Sequence, residues 1–448
     1  AAQRGLCAAV LTAAATFAGC GASEPERPPD LILISLDTLR ADRVGCHSGS
    51  DRADSLTPGL DALCAEGTRY ERAIANSPWT LPSHVSMLTG RYPRNHGVKN
   101  VGKQVPGDVP LLPELLARKG YATAAILGSP KLGRRYGLER GFRQGFEHPP
   151  SAGRAAPLQV EQALGWIRRQ REAGTPYFLF LHNFDMHTDY DAAPRFRDGL
   201  VEPYEGAQRG SGRELLAVRN AKTPLAPDDV RHLSQLYDAG IRELDHDLAP
   251  LFAFLHESGV ADDTVVFVTS DHGEEFWEHG SVLHGVTMYR ETLHVPLIAW
   301  GRGVPRGEHR DDLVQLSDLA PTMLELAGVA GPPGLDGRSL VPTWQGQTLG
   351  DRHAFAEADW RGEQLDTFRM IRDERHKLIL DRITGRTELY DLARVPHEQY
   401  DVADAQPAVV ARLLEALRSY MATESEAPDR PPLSAEEEET LRALGYIE

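Results

Sequence analysis

This sequence of 448 residues has fewer basic than acidic residues, with 48 Lys and Arg against 65 Asp and Glu. Its formal net charge is −17 at pH 7. A general nucleic-acid-binding protein needs a basic face, so the charge argues against a nucleic-acid partner. It does not exclude an anionic small substrate, because one bound metal ion can reverse the local field.

Long apolar runs are also scarce. The one that stands out extends from Leu6 to Ala18, which is the length of a secretory signal core and short for a membrane span. Arg4 precedes this run, and Phe17-Ala-Gly-Cys20 at its end resembles the bacterial lipobox, in which the cysteine is lipidated. A plain signal peptide with a coincidental cysteine is the alternative.

These N-terminal features predict a lipoprotein-type signal peptide over residues 1–19 and a polar tether over residues 20–29. We therefore expect an exported protein of the bacterial cell envelope, on its periplasmic or outer face. We expect it to be attached peripherally to the membrane through lipidated Cys20.

Cysteine is rare, with four residues in the chain. If Cys7 is removed with the signal peptide and Cys20 is lipidated, Cys46 and Cys64 remain. Their spacing leaves open whether they form a disulfide or remain as two buried thiols.

Short runs of β-forming apolar residues alternate with helical patterns from residue 31 to about residue 345. The strand-like runs are 31–36, 121–127, 177–182, 264–269 and 295–300. The helical patterns are 57–67, 111–119, 158–172 and 227–259. This alternation predicts an α/β fold in which helices cover both faces of a mainly parallel sheet. Residues 191–225 are polar and lack periodicity, so we expect a long surface excursion that borders a binding site.

The pattern changes beyond residue 350. Short strands are predicted at 368–371, 377–380 and 387–390, followed by a helix over 407–420. We therefore expect a small C-terminal α+β subdomain over residues 346–425, next to a catalytic domain over residues 30–345. Residues 426–448 form an acidic tail whose apolar end we expect to dock on the protein.

Potential metal ligands stand where predicted strands end. Asp37 follows the first predicted strand, and Asp271 and His272 follow the clearest of the later ones. Open α/β sheets place their sites at the carboxyl ends of strands, where carboxylate and imidazole groups suit a divalent metal. His187 and His284 lie in loops after two of the strands and are further candidates. Taken singly, each of these residues also fits an ordinary turn or surface position.

The stretch from Ser77 to Arg91 is typical of a short helix, with Pro82 at the first helical position and Gly90 where the helix ends. Thr80 lies two residues before that start, where the first free backbone N–H groups point. Helix N-termini bind phosphate or sulfate readily, so this segment is suited to present a hydroxyl nucleophile and hold the anion it attacks. A capped surface helix is the alternative.

The motifs in this order and spacing resemble the sulfatase family of the alkaline phosphatase superfamily, over nearly all of residues 30–425. The resembling segments are Ser35–Asp42, Thr57–Leu63, Thr80–His84, Leu88–Arg91, His182–His187, Asp271–Glu274, Leu335–Leu340 and Glu388–Asp391. The resemblance implies an alkaline-phosphatase-like α/β/α sandwich with a mixed, mainly parallel sheet and a C-terminal four-stranded antiparallel sheet. It also implies one divalent metal, Ca²⁺, Mn²⁺ or Zn²⁺, with room for a second, and a small-molecule, glycan or lipid ester as substrate.

The resemblance also implies roles for individual residues. Carried over by position, the residues that resemble metal ligands are Asp37, Thr80, Asp271 and His272. Thr80 occupies the nucleophile position. His187 resembles the loop histidine that contacts the transferred group or the leaving oxygen, and His284 resembles a later histidine that binds substrate or a second metal.

Two residues of the nucleophile motif depart from the family pattern. Sulfatases carry Cys or Ser where this chain has Thr80, and they oxidise that residue to formylglycine, a modification that does not convert threonine. His84 replaces the arginine of the motif. An unmodified threonine resembles instead the nucleotide phosphodiesterases and phosphoethanolamine transferases of the same superfamily. A threonine hydroxyl needs a metal to ionise at neutral pH, and its phosphate ester can be resolved by water.

We therefore predict a metal-dependent hydrolase of sulfuric or phosphoric esters, with phosphomonoesters or phosphodiesters favoured and a Thr80 alkoxide as nucleophile. The alternatives are a phospho-headgroup transferase and a catalytically inactive sulfatase-like lipoprotein that binds anionic glycans or lipids. The lack of a multi-span membrane domain is evidence against the transferase. The retained set of metal ligands is evidence against a pure binding protein.

Overall fold

The computed structural model describes residues 27–47, 54–147, 154–257, 259–359, 368–395 and 397–432, together with positions 434, 435 and 438. The signal peptide, Cys7 and Cys20 lie outside the described residues, as does most of the acidic tail with its apolar end. Those predictions and the domain boundaries at 345 and 425 stay predictions.

Fifteen strands run through the described residues, in three sheets. They are β1 (Asp30–Leu36), β2 (Thr68–Ile74), β3 (Ala122–Leu127), β4 (Gly145–Glu147), β5 (Tyr177–Asn183), β6 (Thr264–Thr269), β7 (Glu275–Phe276), β8 (Val282–Leu283), β9 (His294–Val295), β10 (Leu297–Gly301), β11 (Glu308–Gln315), β12 (Ala354–Ala358), β13 (Phe368–Arg372), β14 (His376–Asp381) and β15 (Thr387–Asp391).

Helices separate most of these strands. They are α1 (Pro58–Glu66), α2 (Thr80–Thr89), α3 (Pro93–His96), α4 (Leu112–Arg118), α5 (Ala156–Glu172), α6 (Pro194–Arg197), α7 (Gly212–Ala221), α8 (Pro227–Glu257), α9 (Arg290–Leu293), α10 (Leu319–Leu326), α11 (Val341–Trp344) and α12 (Pro407–Met421). Within the described residues, no helix combines the length and the apolar character that crossing a bilayer requires.

The large sheet is mixed and mainly parallel. Its strand order is β11-β2-β10-β6-β1-β5-β3-β4, with β9 paired to β2. The strands β6, β1, β5, β3 and β4 are parallel neighbours, whereas β10 runs antiparallel to both β6 and β2. The predicted fold class is therefore confirmed, including the mixed character of the sheet.

The central strand β1 shows why helices lie on both faces of the sheet. Leu31 and Leu33 pack into the core on the side of α2, α4 and α10, whereas Ile32 and Ile34 pack into the core on the side of α1, α5 and α8. Successive strand side chains point to opposite faces, so an unbroken apolar run has to be buried on both. Each such side chain contributes about 1.5–3 kcal/mol by leaving water.

The C-terminal region contains the predicted second sheet. Strands β12, β13, β14 and β15 are antiparallel neighbours in sequence order. Helix α12 packs on this sheet through Leu413 and Leu417, which contact a small separate core that includes Ile371 and Leu378. The main-chain N–H of Glu357 donates to the carbonyl oxygen of Asn76 at 3.1 Å, so the end of β12 lies beside the segment that leads into α2.

The polar region 191–225, for which the sequence predicted only a surface excursion, contains the helices α6 and α7. The prediction of one strand over 295–300 was wrong, because this run is divided between β9 and β10. Strands β2 and β11 were missed because charged residues interrupt their apolar pattern, as in Arg69 and Glu71 of β2. Such strands are recognised only when a neighbouring strand supplies their hydrogen bonds.

Cys46 and Cys64 form a disulfide, which resolves the question that their spacing left open. The bond links the segment after β1 to helix α1. A hydrogen bond from the main chain to a side chain of α1 reinforces this link, since the Cys46 N–H donates to Asp61 Oδ1 at 2.8 Å. The segment that follows Asp37 is thereby anchored to the helical layer.

Candidate active site

The carboxyl ends of β1 and β6 meet at one edge of the central sheet. The two strands are parallel neighbours, with Ile34 beside Val268, so the residues that follow them emerge side by side. Asp37 follows β1, and Asp271 and His272 follow β6. All three side chains are fully buried at this edge.

Thr80 is brought to the same edge by the start of α2. The helix begins at Thr80 itself, so the prediction that it begins at Pro82 was wrong. Pro82 is tolerated because N–H groups in the first helical turn have no intrahelical partner. The hydroxyl of Ser83 donates to the carbonyl oxygen of Asp271 at 2.7 Å, which ties the first turn of α2 to the end of β6. Gly90, with a φ of 68°, ends the helix as predicted.

The four residues predicted as metal ligands lie around one point. The Thr80 hydroxyl oxygen is 3.4 Å from Oδ2 of Asp37 and 3.4 Å from Nε2 of His272. The same His272 nitrogen is 3.3 Å from Oδ2 of Asp271 and 3.8 Å from Oδ1 of Asp37. Elements that are far apart in sequence therefore deliver these side chains to contact distance.

The donor set around that point fits a divalent metal ion. Oδ1 of Asp37 and Oδ2 of Asp271 are buried and accept no hydrogen bond from any described residue, which is costly for a carboxylate without a cation. Ligand atoms of Asp37, Asp271 and His272 all lie within 4.8 Å of one another. Burial raises the pKa of Asp37, and a bound cation would oppose that shift. Carboxylate and imidazole ligands together suit Mn²⁺ or Zn²⁺, and carboxylate oxygens suit Ca²⁺.

A second group of ligand types, His84, His182 and Asp271, also lies within 4.8 Å. His84 is already engaged, because its Nδ1 donates to the Thr80 carbonyl oxygen at 2.8 Å and its Nε2 lies 2.9 Å from the Ser35 hydroxyl. His182 Nε2 lies 3.1 Å from Oδ2 of Asp37. His84 therefore holds the main chain at Thr80, and His182 contacts the carboxylate of Asp37. At position 84, where the family motif has arginine, this chain has a residue that anchors the start of α2.

His187 and His284 come close to the same point. The His284 ring centroid is 4.3 Å from that of His272 and 4.9 Å from that of His187. His187 also stacks on Phe184 with centroids 4.1 Å apart. Burial lowers the pKa of both His187 and His284, which favours neutral rings at pH 7. All the site residues predicted from the sequence are thus neighbours.

Lys131 is a functional candidate that the sequence reasoning missed. It lies in the turn after β3, is fully buried, and has its Nζ 5.6 Å from the centroid of the Phe184 ring. Burial lowers the pKa of Lys131 to about 7, and the carboxylates of Asp37 and Asp271 oppose that shift. The available signal was its place after a strand that pairs with β5, but a single lysine in a turn is too common to single out.

Helix α7 brings the region 191–225 to the site, as the sequence predicted for a bordering excursion. The Arg219 guanidinium donates to the carbonyl oxygen of His284 at 2.9 Å. At the other end of the helix, the Gly212 N–H donates to Asp189 Oδ1 at 2.6 Å, two residues beyond His187. The helix therefore holds both histidine loops.

Two family models match the chain. The model described as Sulfatase matches residues 29–329, and the model described as N-sulphoglucosamine sulphohydrolase, C-terminal, matches residues 278–425. The first match contains every predicted site residue, and the second contains the four-stranded sheet.

Characterised relatives include human N-acetylgalactosamine-6-sulfatase, which is 27% identical over 411 residues that cover 78% of this chain and 71% of the human protein. Arylsulfatase K of Xenopus laevis is 25% identical over 433 residues, covering 84% of this chain and 79% of that protein.

Solved structures share the fold. A phosphonate monoester hydrolase from Silicibacter pomeroyi has a TM-score of 0.72 at 22% sequence identity, covering 88% of this chain and 94% of its own. A protein solved in complex with its substrate D-glucosamine-2-N,6-O-disulfate has a TM-score of 0.72 at 21% identity, covering 94% of this chain and 98% of its own. At these identities the likeness concerns the fold alone.

Proposed function

The chain belongs to the sulfatase family of ester hydrolases, and from this premise we propose that it hydrolyses phosphoric esters, with sulfuric esters as poorer substrates, through attack by Thr80. The observation that carries the proposal is the buried Thr80 hydroxyl, 3.4 Å from both Asp37 and His272. A threonine hydroxyl is a weak nucleophile at its ordinary pKa. A divalent metal held by Asp37, Asp271 and His272 would supply charge that favours the ionised hydroxyl and the anionic ester.

The chain's own groups are suited to hold the ester. The N–H groups of Thr80 and Leu81 at the start of α2 have no partner four residues earlier in the helix, and the helix dipole favours an anion there. Lys131 is buried within electrostatic reach of the Asp37 and Asp271 carboxylates, which raise its pKa, and an anionic ester at the site would also favour its charged form. We assign His187 and His284, whose ring centroids are 4.9 Å apart, to the transferred group and the leaving oxygen.

The identity of the nucleophile favours phosphorus over sulfur. Attack by Thr80 on a phosphoric ester breaks the bond to the leaving alcohol and leaves a phosphate on Oγ1, which water then removes. A formylglycine hydrate releases sulfate by collapsing to an aldehyde, and threonine has no such route. A sulfated Thr80 would have to be resolved by a second attack on sulfur.

A substrate panel tests this preference. With 4-nitrophenyl sulfate, 4-nitrophenyl phosphate, bis(4-nitrophenyl) phosphate and a 4-nitrophenyl phosphonate, we expect kcat/KM for the best phosphorus ester to exceed that for the sulfate by at least about tenfold, or about 1.4 kcal/mol in barrier. Adding ethanolamine or glycerol as acceptor separates hydrolysis from transfer. A higher rate on the sulfate, with Thr80 unmodified by mass spectrometry, would contradict the proposal.

We propose further that the protein is exported and anchored through lipidated Cys20. The Cys46–Cys64 disulfide supports an oxidising compartment, because such bonds are rare in the cytosol. On expression of the full chain in a bacterium, we expect the protein to partition into the detergent phase of Triton X-114. Cys20→Ser should shift it to the aqueous phase, whereas Cys7→Ser should not. Equal partitioning of the wild type and Cys20→Ser would exclude the anchor.

A further inference from the structure

The imidazole of His284 is anchored by the buried side chain of Glu274, which has no role in the proposed attack by Thr80. Oε1 of Glu274 lies 2.8 Å from Nδ1 of His284. The other carboxylate oxygen, Oε2, accepts the hydroxyl of Tyr190 at 2.9 Å. Glu274 is fully buried, and Tyr190 and His284 are almost so. The three residues thus form a closed hydrogen-bonded series behind the site.

This series specifies the tautomer of His284. Burial raises the pKa of Glu274 to about 8. The ionised carboxylate is an acceptor only, so in that form Nδ1 of His284 carries the proton that lies between the two groups. The neutral ring then presents Nε2 as an acceptor on its opposite side. A ring held in this way lies against His272, with centroids 4.3 Å apart.

The backbone at His284 is held as firmly as its ring. Arg219 donates to the His284 carbonyl oxygen at 2.9 Å. The preceding residue, Leu283, has a φ of 68°, a conformation that a branched side chain rarely adopts. Strained backbone of this kind persists where the surrounding structure holds it and is concentrated at functional sites. Ring and backbone contacts together leave His284 one orientation.

We propose that Glu274, supported by Tyr190, is a positioning residue that keeps His284 in the orientation and tautomer needed to orient the water that hydrolyses phosphorylated Thr80. The inference rests on the proposed function. In that step the water oxygen bonds to phosphorus, the bond from phosphorus to Oγ1 of Thr80 breaks, and Thr80 regains a proton as the phosphate leaves. An acceptor at Nε2 of His284 aligns one O–H of the water for this attack.

The variant Glu274→Gln tests the tautomer. The Tyr190 hydroxyl will donate to the amide oxygen of the glutamine. The NH₂ group of the glutamine then faces Nδ1 of His284 and donates to it, so the His284 proton moves to Nε2. We expect kcat on the best ester of the panel to fall on the order of 10²- to 10⁴-fold, with KM little changed. Phosphorylated Thr80 should accumulate, as detected by mass spectrometry after acid quenching.

The neighbour Glu275 offers a matched control. It is also fully buried, but its Oε2 accepts the hydroxyl of Thr287 at 2.6 Å instead of a histidine. Glu275→Gln should therefore leave kcat within about threefold of the wild type and should not accumulate phosphorylated Thr80. Equal losses in both variants would assign Glu274 a role in folding only.

A double-mutant cycle separates positioning from a structural contribution. If Glu274 acts through His284, Glu274→Gln will cost no further activity in a His284→Ala background. Additive losses in the double variant would overturn the inference while the proposed function stands. Full activity of His284→Ala would remove His284 from the reaction and overturn the inference too, whereas full activity of Thr80→Ala would overturn the proposed function itself.

Nuclear magnetic resonance provides a readout independent of turnover. In histidine-¹⁵N-labelled protein saturated with Ca²⁺ or Zn²⁺, the His284 signals are identified by their loss in His284→Ala. At a pH above the raised pKa of Glu274, about 8, we expect the Nδ1–H tautomer in the wild type and the Nε2–H tautomer in Glu274→Gln. An Nε2–H tautomer in the wild type would overturn the inference whatever the kinetics.

Discussion

Replacing Thr80 with alanine is expected to lower kcat on the best ester of the panel on the order of 10⁴-fold or more, because the variant has no oxygen to attack phosphorus. The hydroxyl is buried 3.4 Å from Asp37 and from His272, whereas the other hydroxyl of the first turn of α2, that of Ser83, donates to the Asp271 carbonyl oxygen. Thr80→Ser keeps an oxygen at the same position and should retain measurable turnover.

The matched control for this variant lies at the other end of the same helix. Thr89 is also buried, and its hydroxyl donates to the Val85 carbonyl oxygen at 2.6 Å, so Thr89→Ala disturbs α2 without touching the site. We expect Thr89→Ala to keep kcat near that of the wild type. Acid-quenched wild-type enzyme should carry phosphate on Thr80. Unchanged turnover by Thr80→Ala, or phosphate on another residue, would exclude Thr80 as nucleophile.

Removing divalent metal is the second change with a large expected effect. Chelation should abolish turnover and lower the melting temperature, and adding back the metal should restore both. The reason is that Oδ1 of Asp37 and Oδ2 of Asp271 are buried without a hydrogen bond from a described residue. A metal at 100 times its dissociation constant stabilises the folded state by about 2.7 kcal/mol. Comparing Ca²⁺, Mn²⁺ and Zn²⁺ by melting temperature, with elemental analysis of the purified protein, identifies the ion.

Two variants distinguish this metal site from a general effect on buried carboxylates. Asp271→Asn should lose both turnover and the metal-dependent rise in melting temperature. Asp245 is a buried carboxylate with a different task, since it accepts from the N–H groups of Gly59 and Leu60 at 2.9 and 3.0 Å at the start of α1. Asp245→Asn should be less stable than the wild type but keep its response to metal. Full turnover after exhaustive chelation would refute metal dependence.

The sequence predicts the structure best where burial alone decides it. The run Thr264–Thr269 forms β6 with the predicted bounds, because an unbroken run of β-branched and aromatic residues favours a strand buried on both faces. The amphipathic pattern from Pro227 likewise forms α8. The start of α2 was misplaced because proline fits any position of the first turn.

The residues that the sequence did not reveal are those whose roles depend on distant partners. Lys131 is an ordinary lysine in a turn until the fold buries it within electrostatic reach of Asp37 and Asp271. In the sequence, Glu274 is one residue of a motif and has no evident partner. The pairing of β7 with β8 places its Oε1 2.8 Å from Nδ1 of His284. Neither environment leaves a local pattern, since burial and hydrogen bonding are made by chain segments far apart.

By itself the sequence determined the order of the most apolar strands and of the long amphipathic helices, and with it the polar residues that follow those strands, because these depend on local hydrophobic pattern. It also placed Thr80 close to the start of a helix, although two residues outside it. Only the tertiary structure decided that Asp37, Thr80, Asp271 and His272 share one buried point and that Glu274 faces His284. Hydrogen bonds and ion contacts act over a few ångströms, and only strand pairing and helix packing bring such residues within that range.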